Sequence, residues 1–148
     1  MKPVTDSGGV LLPNFLVVGA GKSGTTSLYH YLKAHPGVFM SRIKEPGFIF
    51  AQFNKMPQSG VGDERQTTVG SFSAYCRLFE DAEGKKAVGE ASDDNLYHYE
   101  RTIPYIKRFF GDIKIIIILR NPVDRAFSAY TYLLRDNREF LAFEEDLR

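Results

Sequence analysis

The apolar run Phe15-Leu16-Val17-Val18 passes directly into Gly19-Ala20-Gly21-Lys22-Ser23-Gly24-Thr25-Thr26-Ser27-Leu28. No other stretch limits the fold as strongly. A continuous apolar run suits a strand buried on both faces of a parallel sheet. The glycines allow a sharp turn, and Thr25 to Ala34 then reads as a helix, with Leu28, Tyr31 and Leu32 on its inward face. A strand, turn and helix in that order leave unpaired N–H groups and the positive end of the helix dipole at one point. Lys22 adds a point charge, and Thr25, Thr26 and Ser27 add hydroxyls. Such a loop suits a phosphate or sulfate ester; a glycine-rich turn without a ligand is the plainer alternative. A nucleoside-triphosphatase loop, G-x-x-x-x-G-K-[ST], would need glycine where Leu16 stands, which argues against a P-loop small-molecule kinase.

The rest of the chain alternates strand and helix. Val38-Phe39-Met40 and Ala87 to Glu90 read as short strands, and Ile113 to Leu119 as the strongest strand, apolar on both faces except at Lys114. Lys44 to Phe50 reads as a loop, residues 54–73 as a polar excursion, and Ala74 to Phe79 as a short helix. Thr102 to Phe110 reads as a helix with Ile103, Ile106 and Phe110 inward, Pro104 in its first turn and Gly111 just past its end. Pro122 to Arg135 is expected as a helix capped by Asn121, with Val123, Phe127, Tyr130 and Leu134 as its buried stripe. Residues 1–13 read as a flexible leader. The pattern predicts an α/β, three-layer, P-loop-like fold with a mostly parallel central sheet over residues 14–148.

Composition narrows the function class. A net charge of +1 supplies no field to recruit nucleic acid or an anionic membrane. The single cysteine, Cys76, excludes an intrachain disulfide and argues against a zinc site. The first thirteen residues lack a signal-peptide pattern, and the apolar run Ile115 to Leu119 is too short to span a bilayer. A cytoplasmic protein without a membrane span is the expectation.

A second constellation is Leu119-Arg120-Asn121-Pro122-Val123-Asp124-Arg125-Ala126-Phe127-Ser128. Arg120 stands at a strand end and Ser128 about two turns into the next helix. A guanidinium can fork onto a phosphate while a serine hydroxyl completes the shell. The plainer reading is a capped helix with a solvated face.

Together, Gly19 to Leu28 and Leu119 to Ser128 resemble the 5′-phosphosulfate loop and 3′-phosphate motif of sulfotransferases that use 3′-phosphoadenosine 5′-phosphosulfate (PAPS). Lys44-Glu45-Pro46-Gly47-Phe48-Ile49-Phe50 resembles a K-E-P-x-F-F segment of the heparan-sulfate-type and related bacterial branch. Val88-Gly89-Glu90-Ala91-Ser92 is similar to its G-E-x-S segment. The resemblance implies a cofactor-binding role for Gly21, Lys22, Ser23, Gly24, Thr25, Thr26 and Ser27 around the 5′-phosphate, and for Arg120 and Ser128 at the 3′-phosphate. Lys22 would stabilise charge as the sulfuryl group leaves, and Glu45 would be the general base. The donor would be PAPS, the product adenosine 3′,5′-bisphosphate, the acceptor a small-molecule or carbohydrate hydroxyl or amine, with no metal. A non-catalytic nucleotide-binding or assembly module on the same fold is the alternative.

Read without the resemblance, Glu45 is a loop carboxylate paired with Arg42 or Lys44. Glu90 is a structural or acceptor-positioning group at a strand end. His30 and His35 read as structural, and His98 as a second candidate base. Two departures from the family pattern stand out. Asp93-Asp94-Asn95-Leu96 replaces a proline and aromatic, and Ala91 stands where heparan-type relatives carry lysine. Family members also continue well beyond position 148. The resemblance therefore implies an N-terminal portion of the domain with the C-terminal part missing, and uncovered apolar surface favouring homo-oligomers or domain swapping.

Overall fold

The computed structural model describes residue 9, residues 12–53 and residues 69–146. Four strands form one sheet: β1 (Phe15–Gly19), β2 (Val38–Met40), β3 (Ala87–Ala91) and β4 (Lys114–Ile117). Their order is β2-β3-β1-β4, and every neighbouring pair is parallel. The helices are α1 (Thr25–Ala34), α2 (Phe48–Ala51), α3 (Phe72–Cys76), α4 (Asp94–Tyr97), α5 (Tyr99–Phe110), α6 (Pro122–Arg135) and α7 (Phe143–Asp146). A 3-10 turn, Arg77–Ala82, follows α3.

β1 is buried along its whole length because it lies inside the sheet and each face carries a layer. Alternation sends Leu16 and Val18 to one face, where they pack with Phe48, Tyr75, Phe79, Val88 and Phe110. Phe15 and Val17 turn to the other, against Tyr29, Met40 and Ala91. A helical layer on each side of a parallel sheet makes the three-layer α/β fold expected from the sequence.

Several local expectations are corrected. In α1 the buried tyrosine is Tyr29, at 3% exposure, whereas Tyr31 is 75% exposed. The Tyr29 hydroxyl donates to the Ser41 carbonyl at 2.8 Å and ties α1 to the chain leaving β2. The segment after Pro46 forms α2 rather than remaining a loop. α3 begins earlier than expected because the Ser71 hydroxyl accepts from the Ala74 N–H at 3.2 Å. α5 begins at Tyr99, so Pro104 lies beyond its first turn, on an exposed side. Thr102 takes the inward position expected of Ile103, which is 49% exposed. Leu12 and Pro13, assigned to the leader, are buried; residues 54–68 of the polar excursion lie outside the described residues.

The largest correction concerns β4 and α6. β4 is an edge strand, with Ile115 at 46% and Ile117 at 50% exposure. α6 buries none of its residues fully; Val123 is 69% and Phe127 53% exposed, with Leu134 exposed and Tyr130 half-buried. Its apolar stripe exists, but among the described residues no layer covers it. Phe127 and Tyr130 instead meet the Phe143 ring at 5.4 and 5.1 Å.

Candidate functional site

The carboxyl ends of β1, β3 and β4 converge on the segment that follows β1. Beyond β1, the Ala20 N–H donates to the Ile118 carbonyl at 2.7 Å and the Ile118 N–H to Gly19 at 2.8 Å. These two bonds tie the loop after β1 to the chain that leads into Arg120. The turn closes with the Ser23 N–H on the Ala20 carbonyl at 3.2 Å. Gly24 enters α1 in the left-handed region, φ 101°, a conformation glycine adopts without steric cost. Among the described residues no side chain caps α1, which leaves its first N–H groups open to an anion. Ser23 and Thr25 are buried at this mouth, and the buried Ser23 hydroxyl oxygen has no hydrogen-bond partner among the described residues. An orphaned buried hydroxyl beside free helix N–H groups suits an oxyanion ligand. Thr26 and Ser27 are exposed one step further along the helix.

Lys22 stands at φ 61° and Glu45 at φ 56°. Among the described residues only Asn137 joins them as a non-glycine residue with positive φ. Glu45 also precedes Pro46, which ordinarily favours extended backbone. Such strain costs on the order of 1–3 kcal/mol per residue and persists only where its surroundings hold it. For Glu45 the holders are visible. Its N–H donates to the Ala91 carbonyl at the end of β3, at 2.9 Å, and the buried Ser41 hydroxyl donates to Ile43 at 2.7 Å. The Glu45 carboxylate pairs with the Lys44 ammonium, while Arg42 turns away to Glu80 and Asp81.

The Lys22 ammonium lies 3.9 Å from the centre of the Tyr132 ring on α6, a cation–π contact. Burial lowers its pKa, Arg135 lowers it further, and Asp136, Asp93 and Glu45 oppose the shift. One cation therefore feels carboxylates from three segments. Arg120 reaches the same loop: its Nη1 makes a long contact, 3.5 Å, with the Lys22 carbonyl across 98 positions of sequence. Ser128 is half-buried on α6, one turn before Tyr132, and its carbonyl accepts from the Thr131 hydroxyl at 3.2 Å.

Sequence reasoning missed Tyr132 and gave Asp93 no role. The four-residue spacing of Ser128 and Tyr132 on one helix face was the available signal. Asp93 precedes α4 yet makes no side-chain cap to it. Its Oδ2 lies 3.0 Å from the point a Cβ on Gly21 would occupy. Glu90 is 1% exposed. Burial pushes its carboxyl upward, opposed by the neighbouring polar groups of Tyr75, Ser92 and Asn95. Tyr75 carries the Phe48 ring stacked at 4.4 Å, so this buried group underlies the segment that bears Glu45. The His98 ring lies between those of Phe50 and Tyr97, 4.8 Å from each.

Fold and site define a parallel α/β protein whose central strand ends in a glycine-rich loop at a helix N-terminus, with Arg120 from the segment after the neighbouring strand at its rim. The chain belongs to the sulfotransferase family, whose model matches residues 13–148. It is 32% identical over 124 residues to the membrane-associated sulfotransferase kil1 of Dictyostelium discoideum, covering 84% of this chain and 24% of that protein. It is 30% identical to mouse carbohydrate sulfotransferase 15, covering 90% of this chain and 29% of the relative. A crystal structure of a sulfotransferase from Alicyclobacillus acidocaldarius superposes with TM-score 0.82 at 44% identity, covering 92% of this chain and 56% of that one. The chain thus spans less than a third of either curated relative. Among the described residues no helix is long and apolar enough to cross a membrane.

Proposed function

We propose that this chain carries the donor-binding part of a sulfotransferase that moves a sulfuryl group from PAPS to a hydroxyl or amine of a small-molecule or carbohydrate acceptor. The observation that carries the reading is the meeting of Arg120 with the Lys22 carbonyl at the mouth of α1. Two motifs far apart in sequence thereby form neighbouring anion sites, as a nucleotide with separate 5′ and 3′ phosphates requires.

The N–H groups of Ser23, Gly24, Thr25 and Thr26, with the flanking hydroxyls, would hold the 5′-phosphate, and Arg120 and Ser128 the 3′-phosphate. Sulfuryl transfer needs in-line positioning and neutralisation of developing charge more than covalent chemistry. Lys22 would supply that charge at the bridging oxygen as the S–O bond to the phosphate breaks. Its place on Tyr132 requires the side chain to swing toward the loop when donor binds. Glu45 would accept the proton of the acceptor group as the new S–O or S–N bond forms. The strained backbone at both Lys22 and Glu45 supports this assignment, since such strain gathers at functional sites.

The test is calorimetric titration with adenosine 3′,5′-bisphosphate, with AMP and ATP–Mg²⁺ as controls, on the wild-type chain and Glu45→Gln. Both proteins should bind the bisphosphate selectively. In the full-length protein, Glu45→Gln should cut acceptor sulfation by at least about a hundredfold, the scale of general-base catalysis. Unchanged transfer would remove Glu45 as the base. Preference for ATP–Mg²⁺ would overturn the donor assignment.

A further inference from the structure

The donor loop is flanked by a negative charge. Asp93 sits in the turn between β3 and α4 with helical backbone angles, φ −75° and ψ −20°, and its carboxylate does not cap that helix. The Oδ2 atom is 3.0 Å from where a Cβ on Gly21 would stand, and the Asp93 carbonyl is 3.2 Å from a Cβ on Gly19. Two glycines of the loop thus lack side chains where Asp93 approaches. The same carboxylate supports the Lys22 ammonium electrostatically, alongside Glu45. A loop of helix N–H groups, hydroxyls and a lysine is built to attract an anion, and a fixed carboxylate against its glycines works in the opposite sense.

We propose that Asp93 is a specificity-determining residue of the donor site: its carboxylate, close against the loop at Gly21, weakens the grip on a 5′-phosphate. The inference rests on the donor reading above. Its consequence is ready release of the spent nucleotide, which carries a full phosphate at the 5′ position after the sulfuryl group has left. Because Asp93 approaches the loop after β1 at Gly19 and Gly21, its effect should fall on ligands with a 5′-phosphate.

The experiment is calorimetry of wild type, Asp93→Asn and Asp93→Ala with three nucleotides: adenosine 3′,5′-bisphosphate, 5′-AMP and adenosine 3′-monophosphate. Melting curves verify that each protein is folded. Both variants should bind the two 5′-phosphorylated nucleotides roughly tenfold more tightly, the scale of one partly screened charge pair. Affinity for the 3′-monophosphate should change less than about twofold. Unchanged or weaker binding by Asp93→Asn overturns the inference, because the neutral amide keeps the shape and removes the charge. Tightening in Asp93→Ala alone also overturns it, since space and not charge would then be limiting. Equal tightening of the 3′-monophosphate overturns it in favour of a general field. If folded wild type and both variants bind none of the three nucleotides, the donor reading falls and this inference with it. Binding by wild type without tightening in Asp93→Asn sinks this inference alone.

Discussion

Gly89→Ala should cost this fold about 3 kcal/mol, toward the upper end of the overpacking range. Gly89 pairs with Phe15 in the register between β3 and β1, and the Phe15 ring lies across its Cα. A methyl added there would stand 2.5 Å from Cε1 of the ring, and closer still to Cζ and Cε2. Carbon atoms pack at about 3.5–4.0 Å, so the ring must move by at least about 1 Å. It has little room to do so. Phe15 is 6% exposed and packs within the cluster of Val17, Tyr29, Met40 and Ala91. For a domain of this size the loss corresponds to a fall in melting temperature of roughly 6–12 °C. A double-mutant cycle isolates the cause. Phe15→Ala alone should cost about 3–5 kcal/mol by leaving a cavity. Adding Gly89→Ala to that background should cost less than about 0.5 kcal/mol, giving a coupling of about 2–3 kcal/mol. Chemical denaturation followed by circular dichroism measures all four proteins. Equal costs of Gly89→Ala in both backgrounds would refute the steric argument, as would a single variant melting within about 2 °C of wild type.

Arg120→Ala should weaken adenosine 3′,5′-bisphosphate by about tenfold to a hundredfold, the worth of a charge-assisted hydrogen bond, and 5′-AMP far less; equal losses in calorimetry would count against a 3′-phosphate role. Ser71→Ala removes the cap of α3 and should cost about 1 kcal/mol, while Ser71→Asp should stay near wild type in the same denaturation assay. Glu90 predicts a pH effect. Its folded carboxyl titrates above the ordinary 4.5 because of burial, so the folded state holds a proton that the unfolded state has already released. Its contribution to stability is therefore complete below 4.5 and lost as pH rises through its raised value. Glu90→Gln lacks that titration, so its melting temperature should gain on wild type as pH rises through this window and then level off. Parallel curves for the two proteins between about pH 4 and pH 8 would show that Glu90 does not titrate there.

The candidate site was legible in parts. Lys22 to Thr25 could be placed at a helix mouth because a buried strand, glycines and a helix opening are local signals. The bounds of α1 agree with the sequence reading, and Asn121 caps α6 as expected, its side-chain oxygen accepting from the Val123 N–H at 3.0 Å. Tyr31 was misplaced because a period of three and four cannot choose between adjacent faces when Tyr29 has a distant carbonyl to reach. The stripe on α6 was read correctly as apolar and wrongly as buried, since periodicity reports a face and not its cover. Asp93 and Tyr132 gave weak signals because their importance comes from neighbours remote in sequence.

By itself the sequence determined much of the sequence-local physics: the bounds of α1, where Asn121 starts α6, and where the turn after β1 opens a helix. Only the tertiary structure decided the order β2-β3-β1-β4, which makes β1 central and leaves β4 at an edge. The same order lets the Ile118 segment bond to Gly19 and Ala20, carrying Arg120 to Lys22. It also turns Glu90 into the core and lays Asp93 against Gly21. The reason is physical: capping, turns and periodicity act over a few residues, whereas burial and charge pairing depend on which distant segments share a space.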